Sequence, residues 1–247
     1  MRLRHLLATS AVLIAAHPEL RAGPPLASSH ANPASVVIVE LFTSEGCSSC
    51  PPADSLLRQV HLKKTSAGQL IVGISEHVTY WDHLGWKDPY SAQVFTDRQS
   101  VYASHLSPEG PYTPQMIVDG HNQFVGGNGD ALQRALQDDA RRTHFDLQIV
   151  SSVLSSKRLD VTFSFSGKVA SPLDVVAVLT DDVDQSNVSQ GENRGRLLEH
   201  VSVARSLARV ATVTGDTRKS FHLSIPDDFE SGRGHHLVVF AQQPHQG

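Results

Sequence analysis

Two cysteines separated by two residues are the part of this chain best suited to chemistry. Cys47 and Cys50 are the only cysteines in 247 residues, and their spacing is typical of a dithiol that opens and closes a disulfide. A sulfur at the start of a helix is stabilised as a thiolate by unpaired N–H groups and the helix dipole. The pattern predicts thiol–disulfide exchange, with Cys47 attacking and Cys50 resolving the mixed disulfide. A structural disulfide is the alternative.

The segments around the cysteines predict a strand before them and a helix after them. Residues 35–42 are β-branched and almost continuously apolar, as expected for a strand buried on both faces of an α/β sheet. Apolar residues then recur at helical spacing (Leu56, Leu57 and Val60). Proline is tolerated in the first turn of a helix, so the helix should start at Pro51 or Pro52.

Two further residues are candidates for catalytic roles beside the sulfurs. Glu40 lies near the end of the first predicted strand and could accept the Cys50 proton if it is buried below the pair; a glutamate turned to solvent is the alternative. Thr113 and Pro114 precede the apolar residues 116–118. Because X-Pro bonds adopt the cis form at low cost and do so in tight turns, we predict a cis Thr113–Pro114 bond that faces the cysteines. Thr113 is then a substrate-binding candidate.

A second predicted strand, residues 69–75, leads into a segment rich in aromatic residues, His and Asp. Both tryptophans of the chain lie within residues 76–90. Large aromatic side chains next to polar ones are typical of partner-binding surfaces. We expect this segment to form a wall of the site, with Tyr80, Trp81 and Trp86 binding the substrate. A hydrophobic cluster that only supports the fold is the alternative.

A metal site is a second hypothesis for the same sulfurs. Two thiolates and an imidazole suit tetrahedral Zn²⁺ or Cu⁺, so Cys47, Cys50 and His77 are candidate ligands of a copper or zinc carrier. A single Cys-x-x-Cys without a second paired motif is weak evidence for zinc. The chain also has 14 histidines, most of which are expected to be exposed or hydrogen-bonded. Thiol–disulfide exchange itself requires no cofactor.

Composition and the N-terminus indicate an exported globular protein. A formal net charge of −4 offers nucleic acid no electrostatic footprint. Arg2 and Arg4 precede the apolar residues 6–16, which are too few to span a bilayer and suit a signal peptide. We therefore expect a signal peptide and short leader over residues 1–31; an uncleaved anchor is the alternative. The mature chain would be periplasmic or secreted, without a membrane span, where disulfides persist.

The hydrophobic period changes in the second half of the chain. Apolar residues alternate with polar ones in several short runs separated by Gly, Ser and Pro (Phe145 to Ile149, Leu159 to Phe165, Phe221 to Ile225). This predicts about six or seven strands in an all-β, sandwich-like domain. We place it at residues 144–247, after an α/β domain at residues 32–143. It holds no cysteine, so we expect a docking or recognition role.

Several blocks of sequence resemble one family. They are ELFTSEGCSSCPPAD (residues 40–54), HVTYWD (77–82), LGWKDP (84–89), YTPQ with DG (112–120) and, more weakly, GENRGR (191–196). These look like the secreted thioredoxin-like proteins grouped as a domain of unknown function. The resemblance implies a thioredoxin-like fold over residues 35–143 and no established substrate, with exported thiol- or disulfide-containing proteins as the expected partners.

The chain departs from the broader thioredoxin pattern at two positions. Gly46 stands where an aromatic residue usually precedes the first cysteine, and Glu40 lies seven rather than six residues before Cys47. The correspondence of Glu40 to the buried thioredoxin acid is therefore approximate.

Overall fold

The computed structural model describes residues 12–16, 35–155, 157–226, 229 and 234–244. Its strands are β1 (Val12–Ala16), β2 (Val36–Thr43), β3 (Leu70–His77), β4 (Gln115–Val118), β5 (Asn122–Val125), β6 (Asp146–Ser155), β7 (Arg158–Ser166), β8 (Leu173–Asn187), β9 (Leu197–Val213), β10 (Thr217–Ser224) and β11 (His235–Gln242). Its helices are α1 (Pro51–Val60), α2 (Gln93–Leu106) and α3 (Gly129–Asp139), with a 3₁₀ helix at Thr79–Leu84.

The predicted leader is only partly covered by these ranges. Val12–Ala16 forms β1, which pairs antiparallel with β11, and the rest of residues 1–31, including the expected cleavage region, lies outside the described residues. In the described parts of the chain, no helix is long and apolar enough to cross a membrane.

Strands from both halves of the chain share one large mixed sheet, in the order β1-β11-β8-β9-β3-β2-β4-β5. Strands β2 and β3 are parallel, β4 is antiparallel to β2, and a parallel bridge between Ser75 and Val203 joins β3 to β9. The remaining strands form a three-stranded antiparallel sheet, β10-β7-β6. The sequence predicted a sandwich-like unit of its own for the C-terminal strands, but β8, β9 and β11 extend the N-terminal sheet instead. Alternating hydrophobicity specifies which face of a strand is buried and not which strand pairs with it.

Strand β2 is buried on both faces, as its continuous apolar sequence predicted. Val37, Val39 and Leu41 pack in one cluster with apolar residues of α1 and α3. Ile38 and Phe42 point to the opposite face, where they pack in clusters that include residues of α2. Helices α1 and α3 therefore cover one face of the sheet and α2 covers the other.

The two sheets pack against each other through β8. Its odd-numbered apolar residues, from Leu173 to Leu179, share a core cluster with Phe163 and Phe165 of the three-stranded sheet. The even-numbered Val176 and Val178 pack on the opposite face, in the cluster of α2. This arrangement holds β9, and the loop that precedes it, next to β3 and the cysteine turn.

Candidate functional site

Cys47 and Cys50 form a disulfide in the turn that joins β2 to α1. Cys50 is the N-cap residue of α1, and Pro51 and Pro52 occupy the first turn, so the predicted helix start is confirmed. The backbone N–H groups of Ala53 and Asp54 donate to the carbonyl oxygen of Cys50 at 2.8 and 3.1 Å. The disulfide thus lies at the amino end of a helix, where the helix dipole favours a negative charge.

Both cysteines are buried, each with 0% of its surface exposed, whereas Ser48 and Ser49 between them are exposed. The sequence made Cys47 the candidate attacking sulfur, and in the disulfide form neither sulfur is exposed. A loop from the C-terminal half of the chain, residues 191–196, lies against the cysteine turn through hydrogen bonds to its backbone, and we call it the covering loop.

This covering loop is attached to the cysteine turn by two side chains. The amide nitrogen of Asn193 donates to the carbonyl oxygens of Glu45 and Cys47 at 2.8 and 2.9 Å. The carboxylate of Glu192 accepts a hydrogen bond of 3.0 Å from the backbone N–H of Ser48, and hydrogen bonds with Ser48 lower the pKa of this carboxyl. The loop is the GENRGR block of the sequence, whose position here depends on the pairing of β9 with β3.

The aromatic segment lies on the same side of the molecule. The indole N–H of Trp86 donates to Glu45 Oε2 at 2.8 Å, and that of Trp81 donates to Thr113 Oγ1 at 2.7 Å. Both indoles are half-buried. Tyr80 instead donates from its hydroxyl to Gln99 Oε1 on α2 at 3.1 Å.

Gly46 permits a close approach of the aromatic segment to the cysteine turn. A Cβ atom on Gly46 would lie 3.1 Å from Trp81 Cβ, which is tighter than ordinary van der Waals contact. Trp81, from another element, therefore packs directly beside Gly46, the residue before Cys47.

The Thr113–Pro114 peptide bond is cis, as predicted. Pro114 lies near the first turn of α1, because a Cβ atom on Gly126 would be 3.0 Å from Ala53 Cβ and 3.1 Å from Pro114 Cβ. Ala53 follows Cys50 by three positions in α1. The structure thus brings Thr113, Pro114, Trp81 and Trp86 to the region of the cysteine turn.

A buried charged cluster flanks the cysteine turn and was not predicted. His200 Nε2 of β9 lies 3.3 Å from Glu45 Oε1, and His200 Nδ1 lies 3.8 Å from Asp54 Oδ1. Asp54 Oδ1 also accepts a hydrogen bond of 2.9 Å from the Thr43 hydroxyl. Burial alone would lower the pKa of His200, but its interactions with Asp54 and Glu45 outweigh burial and raise the pKa to about 10. The imidazole is therefore protonated at neutral pH.

His77 has partners other than the cysteines. Its Nδ1 lies 2.7 Å from Asp88 Oδ2 and its Nε2 lies 3.3 Å from Ser75 Oγ. Burial raises the pKa of Asp88. The charge and hydrogen bond of His77, together with hydrogen bonds from backbone N–H groups, lower it by more, so the net pKa is below its ordinary value. Among the described residues, the ligand atoms grouped within 4.8 Å of one another are those of Asp119, Asp139 and His144, so the structure does not gather Cys47, Cys50 and His77 as a metal-ligand set.

Glu40 is buried on the α2 face of β2, opposite the face that packs on α1. Its carboxylate accepts hydrogen bonds from Arg98 Nε at 2.5 Å and from the Tyr102 hydroxyl at 2.6 Å. Burial raises the pKa of Glu40, but the charge and hydrogen bond of Arg98 outweigh it and lower the pKa. Burial and the neighbouring Glu40 raise the pKa of Glu76 well above normal. The structure therefore places Glu40 in a buried ion-pair cluster, with partners other than the Cys50 thiol.

Comparison with known proteins gives a fold neighbour and a family. An X-ray crystal structure of a protein from Agrobacterium tumefaciens, determined by a structural genomics consortium, is similar to this chain at 28% sequence identity, with a TM-score of 0.61 and coverage of 78% of this chain and 80% of that chain. No curated protein matches this chain significantly. A family model described as "Protein of unknown function (DUF1223)" matches residues 38–242, and the chain belongs to this family.

Proposed function

We propose that this protein is an exported thiol–disulfide exchange protein that reacts with thiols or disulfides of exported partner proteins through Cys47 and Cys50. The observation that carries the proposal is the Cys-x-x-Cys disulfide at the N-cap of α1, with the cis Thr113–Pro114 bond near the same helix turn. A reactive dithiol needs a thiolate stabilised at a helix start, and this geometry supplies it.

The proposed reaction is a reversible exchange of two sulfur–sulfur bonds. In the reduced protein, the Cys47 thiolate attacks a partner disulfide, which forms a mixed disulfide and releases one partner thiolate. The Cys50 thiolate then attacks Cys47 Sγ, which restores the Cys47–Cys50 bond and releases the second partner sulfur. The partner gains two electrons and the cysteine pair loses two; the reverse sequence oxidises the partner.

Because both sulfurs are buried, the proposed exchange requires the protein to open around the cysteine turn. A nucleophile must reach a sulfur directly, and both cysteines are 0% exposed. We infer that residues 191–196 move away from the cysteine turn when a partner binds, which requires breaking the Asn193 bonds to Glu45 and Cys47. Exchange between this protein and a folded partner would then be slower than exchange by a protein whose cysteine pair is exposed.

We further propose that Trp81, Trp86 and Thr113 form the partner-binding surface, with the C-terminal strands contributing recognition through the covering loop. The half-buried indoles, each with its N–H committed to a residue near the cysteines, support this assignment. Tyr80, which bonds to α2, is assigned a place at the edge of that surface. A disulfide in a cysteine-poor chain also supports an oxidising compartment, the periplasm or the exterior.

A second candidate is a non-catalytic binding protein with a structural disulfide. Complete burial of both cysteines favours it, because structural disulfides are shielded from thiols and resist reduction.

A redox titration of the purified mature protein in glutathione buffers separates the two candidates. Exchange catalysts have potentials of roughly −120 to −270 mV, whereas structural disulfides lie below about −300 mV. A matched pair of variants gives a second readout. Cys50→Ser should accumulate a mixed disulfide with glutathione at Cys47, while Cys47→Ser should accumulate much less. A potential below about −300 mV, with no mixed disulfide in either variant, would establish the structural role.

A further inference from the structure

A second group of side chains converges at a place that the exchange proposal does not use. Asp119 lies in the turn between β4 and β5, Asp139 is the last residue of α3, and His144 lies shortly before β6. One ligand atom from each side chain lies within 4.8 Å of the others. Asp119 is 4% exposed and Asp139 is 1% exposed, while 13% of the His144 side chain reaches the surface.

Two buried oxygen atoms at this group accept no hydrogen bond from the described part of the chain. Gln69, itself 4% exposed, donates from Nε2 to Asp139 Oδ2 at 2.7 Å. The remaining oxygens of this pair, Gln69 Oε1 and Asp139 Oδ1, are buried and have no donor among the described residues. Buried acceptors are normally satisfied by a donor or a cation, so the site is electrostatically suited to a positive ligand.

The donor set points to a particular class of ligand. Two carboxylates balance the charge of a divalent cation, and carboxylate oxygens with one imidazole nitrogen are ligands that Zn²⁺ accepts. His144 Nε2 and Asp139 Oδ2 are 3.4 Å apart. In a tetrahedral zinc site with bonds of about 2.0–2.1 Å, neighbouring ligand atoms are about 3.3–3.4 Å apart.

The surroundings of Asp139 fit the same interpretation. Carboxylates that bind a metal are usually held in place by a hydrogen bond from a neighbouring residue, and Gln69 Nε2 provides that bond. We propose that Asp119, Asp139 and His144 form a zinc site that joins the β4–β5 turn, the end of α3 and the start of β6. The partly exposed edge of His144 is the entry path for the ion.

Calorimetric titration of the oxidised, chelator-treated protein with ZnCl₂ tests this site. Disulfide-bonded cysteines offer no thiolate, so binding in this form does not report on Cys47 and Cys50 and is independent of the exchange proposal. We expect one Zn²⁺ per chain and a higher melting temperature with zinc. Asp139→Asn should weaken binding by at least about tenfold. The matched control is Asp138→Asn, at a neighbouring carboxylate whose side chain is 56% exposed, and it should keep the wild-type affinity.

The proposal is overturned if the wild type shows no saturable binding, or if Asp139→Asn binds zinc as tightly as the wild type, since binding would then belong to other histidines. His144→Gln provides a second variant if Asp139→Asn does not fold. It removes the imidazole at a partly exposed position and should produce a similar loss of affinity, and wild-type affinity in that variant would equally overturn the site.

Discussion

The side-chain amide of Asn193 donates a hydrogen bond of 2.9 Å to the carbonyl oxygen of Cys47, 146 residues earlier in the chain. The same nitrogen donates to the carbonyl oxygen of Glu45, so one buried side chain holds the backbone on both sides of Gly46. If the proposed exchange function holds, we expect access to the disulfide to depend on this residue outside the Cys-x-x-Cys motif.

Replacing Asn193 with Ala should speed the reduction of the disulfide by dithiothreitol under native conditions. The substitution removes two hydrogen bonds, each worth about 1 kcal/mol, so the covering loop should open roughly 30 times more often. Quenching the reaction at set times with an alkylating reagent measures the rate at which free thiols form, and this rate reports the opening.

Arg194→Ala is the matched control, because Arg194 is an exposed residue of the same loop. It should be reduced at the wild-type rate. If Asn193→Ala also shows the wild-type rate, while remaining folded, the loop does not control access to the sulfurs.

Trp86→Phe should lower the free energy of unfolding by about 1–3 kcal/mol. The change keeps a large aromatic ring but removes the N–H that donates to Glu45 Oε2, and Glu45 is 0% exposed. Losing a hydrogen-bond donor costs more free energy at a buried carboxylate than at a hydroxyl group. Trp81→Phe, which removes a bond to the Thr113 hydroxyl, should therefore have the smaller effect. Equal losses in urea unfolding would contradict this account.

Features that depend on local chemistry were predictable from the sequence. The strand at Val36–Thr43 follows from its continuous apolar residues, the start of α1 from Pro51, and the cis bond from the Thr113–Pro114 pair. The position of Glu40 also had a local signal. Side chains alternate along a strand, so Glu40 lies on the opposite face from Leu41, which packs on α1.

Features that depend on strand pairing were not predictable. His200 and Asn193 reach the cysteine turn because β9 pairs with β3, and nothing near either residue in the sequence specifies that neighbour. The division of the C-terminal strands between two sheets has the same origin. The contacts of the covering loop with the cysteine turn also follow from this pairing, since the covering loop precedes β9.

Gly126→Ala should destabilise the protein by about 1–3 kcal/mol, as expected for overpacking a filled core. The added methyl group would lie 2.9 Å from Leu41 Cδ1, 3.0 Å from Ala53 Cβ and 3.1 Å from Pro114 Cβ, so β2, α1 and the cis-proline would have to separate. Gly127→Ala is the matched control, because its Cβ would meet Pro52 Cβ at an ordinary 3.8 Å. A similar urea midpoint for the two variants would show that these elements are not tightly packed there.

The stability of the protein should fall between about pH 6.5 and pH 10 through His200. The pKa of His200 is raised from 6.5 to about 10 in the folded protein, so across this range the folded state binds a proton that the unfolded state has released. The stabilisation is complete below the unfolded pKa and is lost as the pH rises through the folded pKa. Urea unfolding at about pH 6.5, 8 and 9.5 measures the slope.

His200→Gln should be less stable near neutral pH and show a flatter decline, whereas the exposed His222→Gln should keep the wild-type slope. A wild-type slope in His200→Gln would mean that His200 is not protonated in the folded protein.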